Sequence, residues 1–307
     1  MTYLSNNKYK LLLLFFSIIG LKAFEPVFGQ PDSLVLSLTG CFRGRVEGCG
    51  HCLVGPRGGL ERRATLMKQH FKNYPVIGLD CGQILDLDPL GGELRSRCTI
   101  LGLARFGHRA VGVSARDMFY GLKMLVRWAD EAGLKLISAN IVTSDLNQPL
   151  FAVWDTFKVK NKILAVSALS EVRIGIRIDQ PGGWKVLTPD SALKNIIASK
   201  PDTADIYILL TDIGEADLRR MLKDVKCFNL VVSCSRQIFT AAPFTIGNAV
   251  VFHPEPDCRA LDAMLLPFAD LNPLKARIIS EMIKVETPAD TATTRWLGDC
   301  LGRPPLR

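Results

Sequence analysis

The chain has 307 residues, 48% of them hydrophobic and 22% charged, values that suit a globular protein long enough to bury a core. Nothing in it is long and apolar enough for a multi-pass membrane protein. The net charge of +8 comes without any Lys/Arg block interleaved with aromatics, so nucleic acid is not an expected partner. Acidic proteins, anionic headgroups and phosphorylated ligands suit that charge, and so does plain solubility.

The N-terminus reads as a targeting segment. Lys8 and Lys10 precede an apolar run from Leu11 to Leu21, and Val27-Phe28-Gly29 supplies a cleavage site before Gln30. The expectation is a signal peptide over 1–29 and export to the periplasm, with an uncleaved anchor as the alternative. The expected mature chain has no transmembrane span. No cysteine follows the run closely enough for a lipoprotein. Removing Lys8, Lys10, Lys22 and Glu25 takes away +2 and leaves +6. All nine cysteines lie beyond this segment, where an oxidising compartment favours disulfides. Nine is odd, so at least one thiol is left over from intramolecular pairing.

Past it, short apolar runs alternate with helical patterns. Leu34–Leu38 reads as a strand, followed by a Gly- and Cys-rich loop from Thr39 to Gly59. Leu60–Phe71 carries Leu60, Ala64, Met67 and Phe71 near helical spacing. Val76–Leu79, Ala110–Val113 and Leu136–Ser138 read as strands, Leu94–Phe106 and Phe119–Ala132 as helices, the latter closed by Gly133. The period then changes. Phe151–Phe157, Ile163–Ser167 and Val172–Ile178 look like successive strands. Thr188-Pro189 opens a helix to Ala198. Ile206–Leu210, Leu230–Val232 and Ala249–Phe252 are strands, with a helix at Glu215–Val225. A main domain over 30–253 is expected, then a tail over 254–307 with one helix around Pro273–Val285. The alternation gives an α/β class with one large sheet or two stacked ones. Polar groups in such folds gather beyond the carboxyl ends of strands, here the loops at Thr39, Asp80, Ser114, Thr211 and Ser233.

Those loops carry a resemblance. Gly58-Gly59-Leu60-Glu61-Arg62-Arg63-Ala64-Thr65-Leu66, Ser138-Ala139-Asn140 and Leu209-Leu210-Thr211-Asp212-Ile213-Gly214 resemble, in order, the GGLARRATL, SAN and LTHLG stretches of the 5′-nucleotidase branch of the metallophosphoesterases. The match runs from about Leu34 to Phe252. It implies an αββα sandwich of two mixed β-sheets with flanking helices. It also implies a two-metal centre built from D-x-H, GD, GNH, a lone His and GH-x-H, with cations ~3.5–4 Å apart that polarise a phosphate and supply a hydroxide. This chain departs from that pattern at nearly every ligand. Cys41-Phe42-Arg43 stands for D-x-H, Gln83 for the GD aspartate and Ser114-Ala115-Arg116-Asp117 for GNHE. Asp212 replaces the lone His, and Ser233-Cys234-Ser235-Arg236 replaces GH-x-H. His51, His70, His108 and His253 all fall off the motif positions. Arg43, Arg116 and Arg236 put guanidinium groups where metals belong; arginine stays protonated and its charge repels a dication. Asp117 and Asp212 are then the natural counter-ions. The normal two-metal centre is therefore not expected. The residues after Phe252 are too few for the family's substrate domain, so a nucleotide-specific pocket is not expected either.

Cys41, Cys49, His51 and Cys52 share the first loop, and Cys81 sits on the neighbouring strand end. The loop resembles a subgroup of the family with a Cys-Gly-x-Cys insertion before the GGLxRRAT stretch and an Arg-Asp pair in place of GNHE. Members of it occur with multihaem c-type cytochromes, which implies a periplasmic, respiration-linked setting and a protein partner of that kind. Three uses of the cysteines stay open: a disulfide such as Cys41–Cys49 or Cys52–Cys81, a structural metal held by the cysteines and His51, or a redox dithiol at Cys49-Gly50-His51-Cys52. The c-type haem motif is absent, because C-x-x-C-H needs His at 53 and the chain has Leu53. Cys258 and Cys300 flank the tail and are expected to close it; Cys98 and Cys227 are expected to be buried. No cofactor is expected, with a Cys/His-bound metal as the alternative. Three functions follow. The leading one is a non-catalytic binding or scaffold subunit. The others are an enzyme with a rebuilt Cys-containing metal or redox centre, using either a Cys-ligated metal or Cys41 or Cys234 as nucleophile, and an anion-binding module using Arg43, Arg116 and Arg236.

Overall fold

The computed structural model describes residues 32–48, 57–172, 183–238 and 242–304. The expected signal segment, Cys49, His51, Cys52 and most of the expected strand at Val172–Ile178 lie outside the described residues.

The apolar runs become the strands of two six-stranded sheets. In the first, β1 (Ser33–Thr39), β2 (Val76–Asp80), β3 (His108–Gly112) and β4 (Lys135–Ile137) run parallel. β13 (Ala260–Pro267) pairs antiparallel to β1, and β14 (Arg277–Met282) antiparallel to β13. In the second, β7 (Lys162–Leu169), β9 (Ile206–Thr211), β10 (Leu230–Ser233) and β12 (Ala249–Phe252) are parallel. β6 (Trp154–Val159) and β11 (Phe244–Ile246) close its edges antiparallel. A separate ribbon pairs β5 (Ile141–Thr143) with β8 (Trp184–Val186).

The period of two along each strand decides which side chains meet. Leu34, Leu36 and Leu38 of β1 share one buried cluster with Leu164, Val166, Ile208, Leu210, Leu230 and Val232 of the other sheet, so the sheets stack face to face. Gly112 sits where they press closest: a Cβ there would stand 3.1 Å from the Leu210 Cβ and 3.2 Å from the Ala168 Cβ. The opposite parity faces helices. Val35 packs with Leu66 and Phe71 of α1 (Leu60–Phe71). Val111 and Val113 pack with Cys98, Ile100 and Leu103 of α2 (Gly92–Arg105) and with Leu125 and Trp128 of α3 (Leu122–Ala132). Leu209, Val231 and Val251 pack with α4 (Pro189–Ala198) and α5 (Glu215–Leu222). This is the expected αββα sandwich.

The Gly58-to-Leu66 stretch works as a clamp. Arg63 is buried and donates through Nη1 to the Ala260 carbonyl (2.7 Å) and through Nη2 to Ser37 Oγ (2.9 Å), tying α1 to β13 and β1.

The C-terminal segment departs from expectation in two ways. Pro273–Lys275 is a single 3₁₀ turn, and the residues expected to continue it as a helix form β14. Ile278, Ile279, Met282 and Ile283 fit helical spacing, but β13 is a strand buried at every residue before Pro267 and pairs residue by residue with 277–282. The segment is thus part of the first sheet. Its helix is α6, Thr291–Cys300, capped by the Asp290 carboxylate accepting from the Thr293 amide. The second correction concerns Cys300, which is bonded to Cys98 of α2, while Cys258 is a buried free thiol. α6 docks where Leu297 and Cys300 reach the α2–α3 cluster, which brings the Cα atoms of Cys98 and Cys300 to 5.9 Å.

Candidate functional site

The loops after β1 and β2 run side by side as a short zipper. Cys41 N donates to the Gly82 carbonyl (2.8 Å), Arg43 N to the Gln83 carbonyl (3.0 Å) and Gly44 N to the Ile84 carbonyl (2.9 Å). Holding that register requires left-handed backbone at Cys41 (φ 54°), Arg43 (φ 51°) and Gln83 (φ 58°), a conformation that costs on the order of 1–3 kcal/mol at each non-glycine position. The outcome is that Arg43 and Gln83 project together. Arg43 Nη2 donates to Gln83 Oε1 at 3.1 Å and approaches Cys41 Sγ at 3.7 Å. Gln83 Nε2 donates to Asp212 Oδ2 at 3.1 Å, and Asp212 Oδ1 accepts from the Glu171 amide at 2.6 Å. A chain of polar contacts thus links the ends of β1, β2, β9 and β7.

Asp117 has a different role from the one expected. Its buried carboxylate accepts from the backbone amides of Gln83 (2.9 Å), Ile84 (2.8 Å), Leu85 (3.2 Å) and Ser114 (3.0 Å), and from Ser114 Oγ (2.7 Å). It staples the β2 loop to the 3₁₀ turn Ala115–Met118. Burial pushes its carboxyl above the usual range while these hydrogen bonds pull it down. Arg116 is half-buried on the same turn, and Arg236 is exposed beyond β10.

The end of β10 brings in a thiol. Cys41 Sγ donates to the Cys234 carbonyl at 2.7 Å, and Cys234 Sγ points at the carbonyls of Cys81 (3.5 Å) and Gly82 (3.6 Å). The contact with Cys234 and burial raise the Cys41 pKa, burial lifts Cys81 to about 12, and burial raises Cys234 well above an ordinary thiol. All three are protonated at neutral pH, which opposes a Cys nucleophile in the reduced state.

Behind the loops lies a layer that motif reading passed over. Thr39 Oγ1 is 2.6 Å from Asp80 Oδ2 and 2.8 Å from His108 Nε2, while His108 Nδ1 donates to the Leu103 carbonyl (3.0 Å). Burial lowers His108 to about 3 and raises Asp80 to about 7. A neutral His108 that donates through Nδ1 must accept at Nε2, so the Thr39 hydroxyl donates there. The carboxyl proton of Asp80 then completes the chain. Ser170, whose Oγ accepts from the Ala115 amide (2.9 Å), and Glu171 were also missed, although β7 ends beside them.

The residues brought together do not fit a two-metal centre. A guanidinium sits inside the set, bonded to the Gln83 side-chain amide, and the thiols are turned to carbonyls. Among the described residues no group of three or more His, Cys, Asp or Glu is arranged to hold a metal ion.

Sandwich and loop cluster together define a protein of the metallophosphoesterase-like fold. No protein-family model matches the sequence, and no curated protein matches it. Solved structures do. The chain is similar to the Thermus thermophilus sulfate thiohydrolase SoxB, with TM-score 0.73 and 14% identity over 90% of this chain and 61% of that one. It is also similar to a 5′-nucleotidase precursor from Thermus thermophilus, with TM-score 0.70 and 16% identity over 88% and 57%. The calcineurin-like phosphoesterase YfkN of Bacillus subtilis gives TM-score 0.64 and 15% identity over 88% and 96%. The chain therefore spans about three fifths of the first two proteins.

Proposed function

We propose that this is an exported protein of the metallophosphoesterase fold that does not hydrolyse phosphoesters and works by binding, as a scaffold subunit for a periplasmic multihaem c-type cytochrome or a respiratory complex containing one. The observation that carries the first half is the Arg43–Gln83–Asp212 chain of contacts. A metal phosphoesterase needs an open cation site to bring bound water to a pKa near 7. Here a fixed cation and an amide take that space.

Binding is supported by the rim. Tyr120 donates to the Asp86 carbonyl (2.8 Å), holding the loop after Gln83 against the segment after Arg116. Leu90 and Phe119 stand on these two joined segments, 82% and 52% exposed, and offer apolar contact to a partner. The partner's identity rests on the resemblance of the Cys-rich loop to the cytochrome-associated subgroup.

The test is made on the full chain. It is assayed with nucleoside monophosphates and p-nitrophenyl phosphate in manganese, zinc and iron. In parallel it is cross-linked in its own cells and the products are stained for haem. No chelator-sensitive turnover and a haem-bearing cross-link are expected, with a mature N-terminus near Gln30 by mass spectrometry. Chelator-sensitive hydrolysis overturns the first half; cross-links that carry no haem overturn the second.

A further inference from the structure

β14 is an outer strand of the first sheet. β13 holds one of its edges, and among the described residues no strand pairs with the other. Such an edge is a row of amides and carbonyls ready to pair with another strand, and folded chains guard it by shortness, proline, a bulge or unmatched charge. β4, at the far side of the same sheet, has only three residues. β14 has six, Arg277 to Met282, with no proline, and its register with β13 runs without a shift.

The ladder fixes which groups face outward. Ile283 N donates to the Arg259 carbonyl at 2.8 Å, so the adjacent pair Met282 and Ala260 is a non-hydrogen-bonded one, and the alternation of an antiparallel ladder runs on from there. Glu281, Ile279 and Arg277 therefore direct their amides and carbonyls to β13, while those of Ser280 and Ile278 point to the open edge. Side chains divide by the same parity. Ile279 packs on the cluster of Val35, Leu66 and Phe71, and Glu281 Oε2 lies 2.7 Å from His70 Nε2 of α1, so Arg277 belongs to that face too. Arg277 has no ion-pair partner among the described residues.

We propose that this edge is a homodimer interface, in which β14 pairs antiparallel with β14 of a second copy about a two-fold axis at Ile279 and joins the two first sheets into one. The outward groups restrict the register. Ile278 exchanges hydrogen bonds with Ser280 of the other copy, and Ser280 with its Ile278. Arg277 then stands opposite Glu281 of the other copy, once on each side of the axis, in non-hydrogen-bonded pairs where facing side chains come closest. A shift of two residues in either direction keeps the hydrogen bonds in phase and loses both charge pairs, so the strand is complementary to itself in one register. On the opposite face the two Ile278 side chains, 39% exposed in the single chain, become diagonal neighbours across the axis. Pairing of this kind is closed, because each copy has used its edge.

The test is sedimentation equilibrium of the full-length protein over a wide concentration range, with three variants. The wild type should reach the mass of two chains. Arg277→Glu places like charges opposite each other at both pairs and should weaken the dimer by roughly tenfold or more. Arg277→Glu combined with Glu281→Arg should restore it. Ile279→Cys, oxidised in solution, should give a peptide linked to its own copy through the two introduced sulfurs, because only this register places position 279 opposite itself. A wild type that stays at the mass of one chain, a dimer that Arg277→Glu leaves intact, a double variant that stays as weak as the single one, or an oxidised variant with no such linked peptide would each overturn the interface. The wild-type measurement needs no variant to fold.

Discussion

Arg43 donates through Nη2 to Oε1 of Gln83 at 3.1 Å, across the gap between the loops of two adjacent parallel strands. The resemblance of the loops to metal-binding motifs implies a histidine and an aspartate at these two positions. The scaffold that would aim those ligands is still present. Restoring them with Cys41→Asp, Arg43→His, Gln83→Asp, Asp212→His, Cys234→His and Arg236→His should convert a chain that retains no manganese or zinc after dialysis into one that retains roughly one to two equivalents. Elemental analysis of both dialysed proteins decides it; a wild-type chain that retains metal at these loops refutes the account.

Asp117 should matter for stability more than its loop position suggests. Its carboxylate answers four backbone amides and one hydroxyl in a buried setting. Asp117→Ala strands those donors, and a loss of about 3 kcal/mol is expected, since each orphaned buried donor costs ~1–3 kcal/mol and some regain water. Urea unfolding measures it. A change below about 1 kcal/mol would mean the loop finds other partners.

The Asp80–Thr39–His108 layer makes an unusual pH prediction. Asp80 is raised by burial to about 7, so its contribution is complete below about 3.8 and fades as pH climbs to 7. His108 is lowered by burial to about 3, so its contribution is complete above about 6.5 and fades as pH falls to 3. Between pH 4 and 6.5 the folded chain holds one proton on Asp80 and the unfolded chain holds one on histidine. The two slopes cancel, and this layer leaves stability flat. Asp80→Asn should expose the histidine slope, with stability falling as pH drops from 6.5 to 4. His108→Asn should expose the opposite slope. Each approaches ~1.4 kcal/mol per pH unit. Denaturation midpoints at pH 4, 5 and 6.5 test both signs, and a single variant with a flat profile sinks the arrangement.

The Cys98–Cys300 bond closes a loop of 202 residues between α2 and α6. Cys300→Ser should lower stability by ~2–5 kcal/mol, mainly by enlarging the unfolded ensemble. Calorimetry of the variant, compared with wild type with and without reductant, gives the value. An unchanged melting temperature would show that α6 is held without the disulfide, by contacts such as Leu297 in the α2–α3 cluster and Arg105 over Trp296.

What the sequence determined by itself was local or chemical in kind. Alternating apolar runs and helical periods place β1, α1, β2 and most later elements, because a strand's period of two and a helix's period of 3.6 are written in the order of residues. The departure from the motifs that the loops resemble is legible for the same reason: Arg43, Gln83 and Cys234 differ in kind from aspartate and histidine wherever they fold. What only the tertiary structure decided were pairings between distant segments. Ile278, Ile279, Met282 and Ile283 fit helical spacing, and the presence of β13 alongside makes Arg277–Met282 a strand. Cys300 could meet Cys258 or Cys98, and the docking of α6 on α2 chooses the second. Asp117 reads as a counter-ion to arginine until the amides of Gln83, Ile84 and Leu85 are seen to point at it. Cys234 lies 193 residues from Cys41 and touches it because β10 and β1 belong to sheets stacked face to face, a contact that no spacing along the chain records.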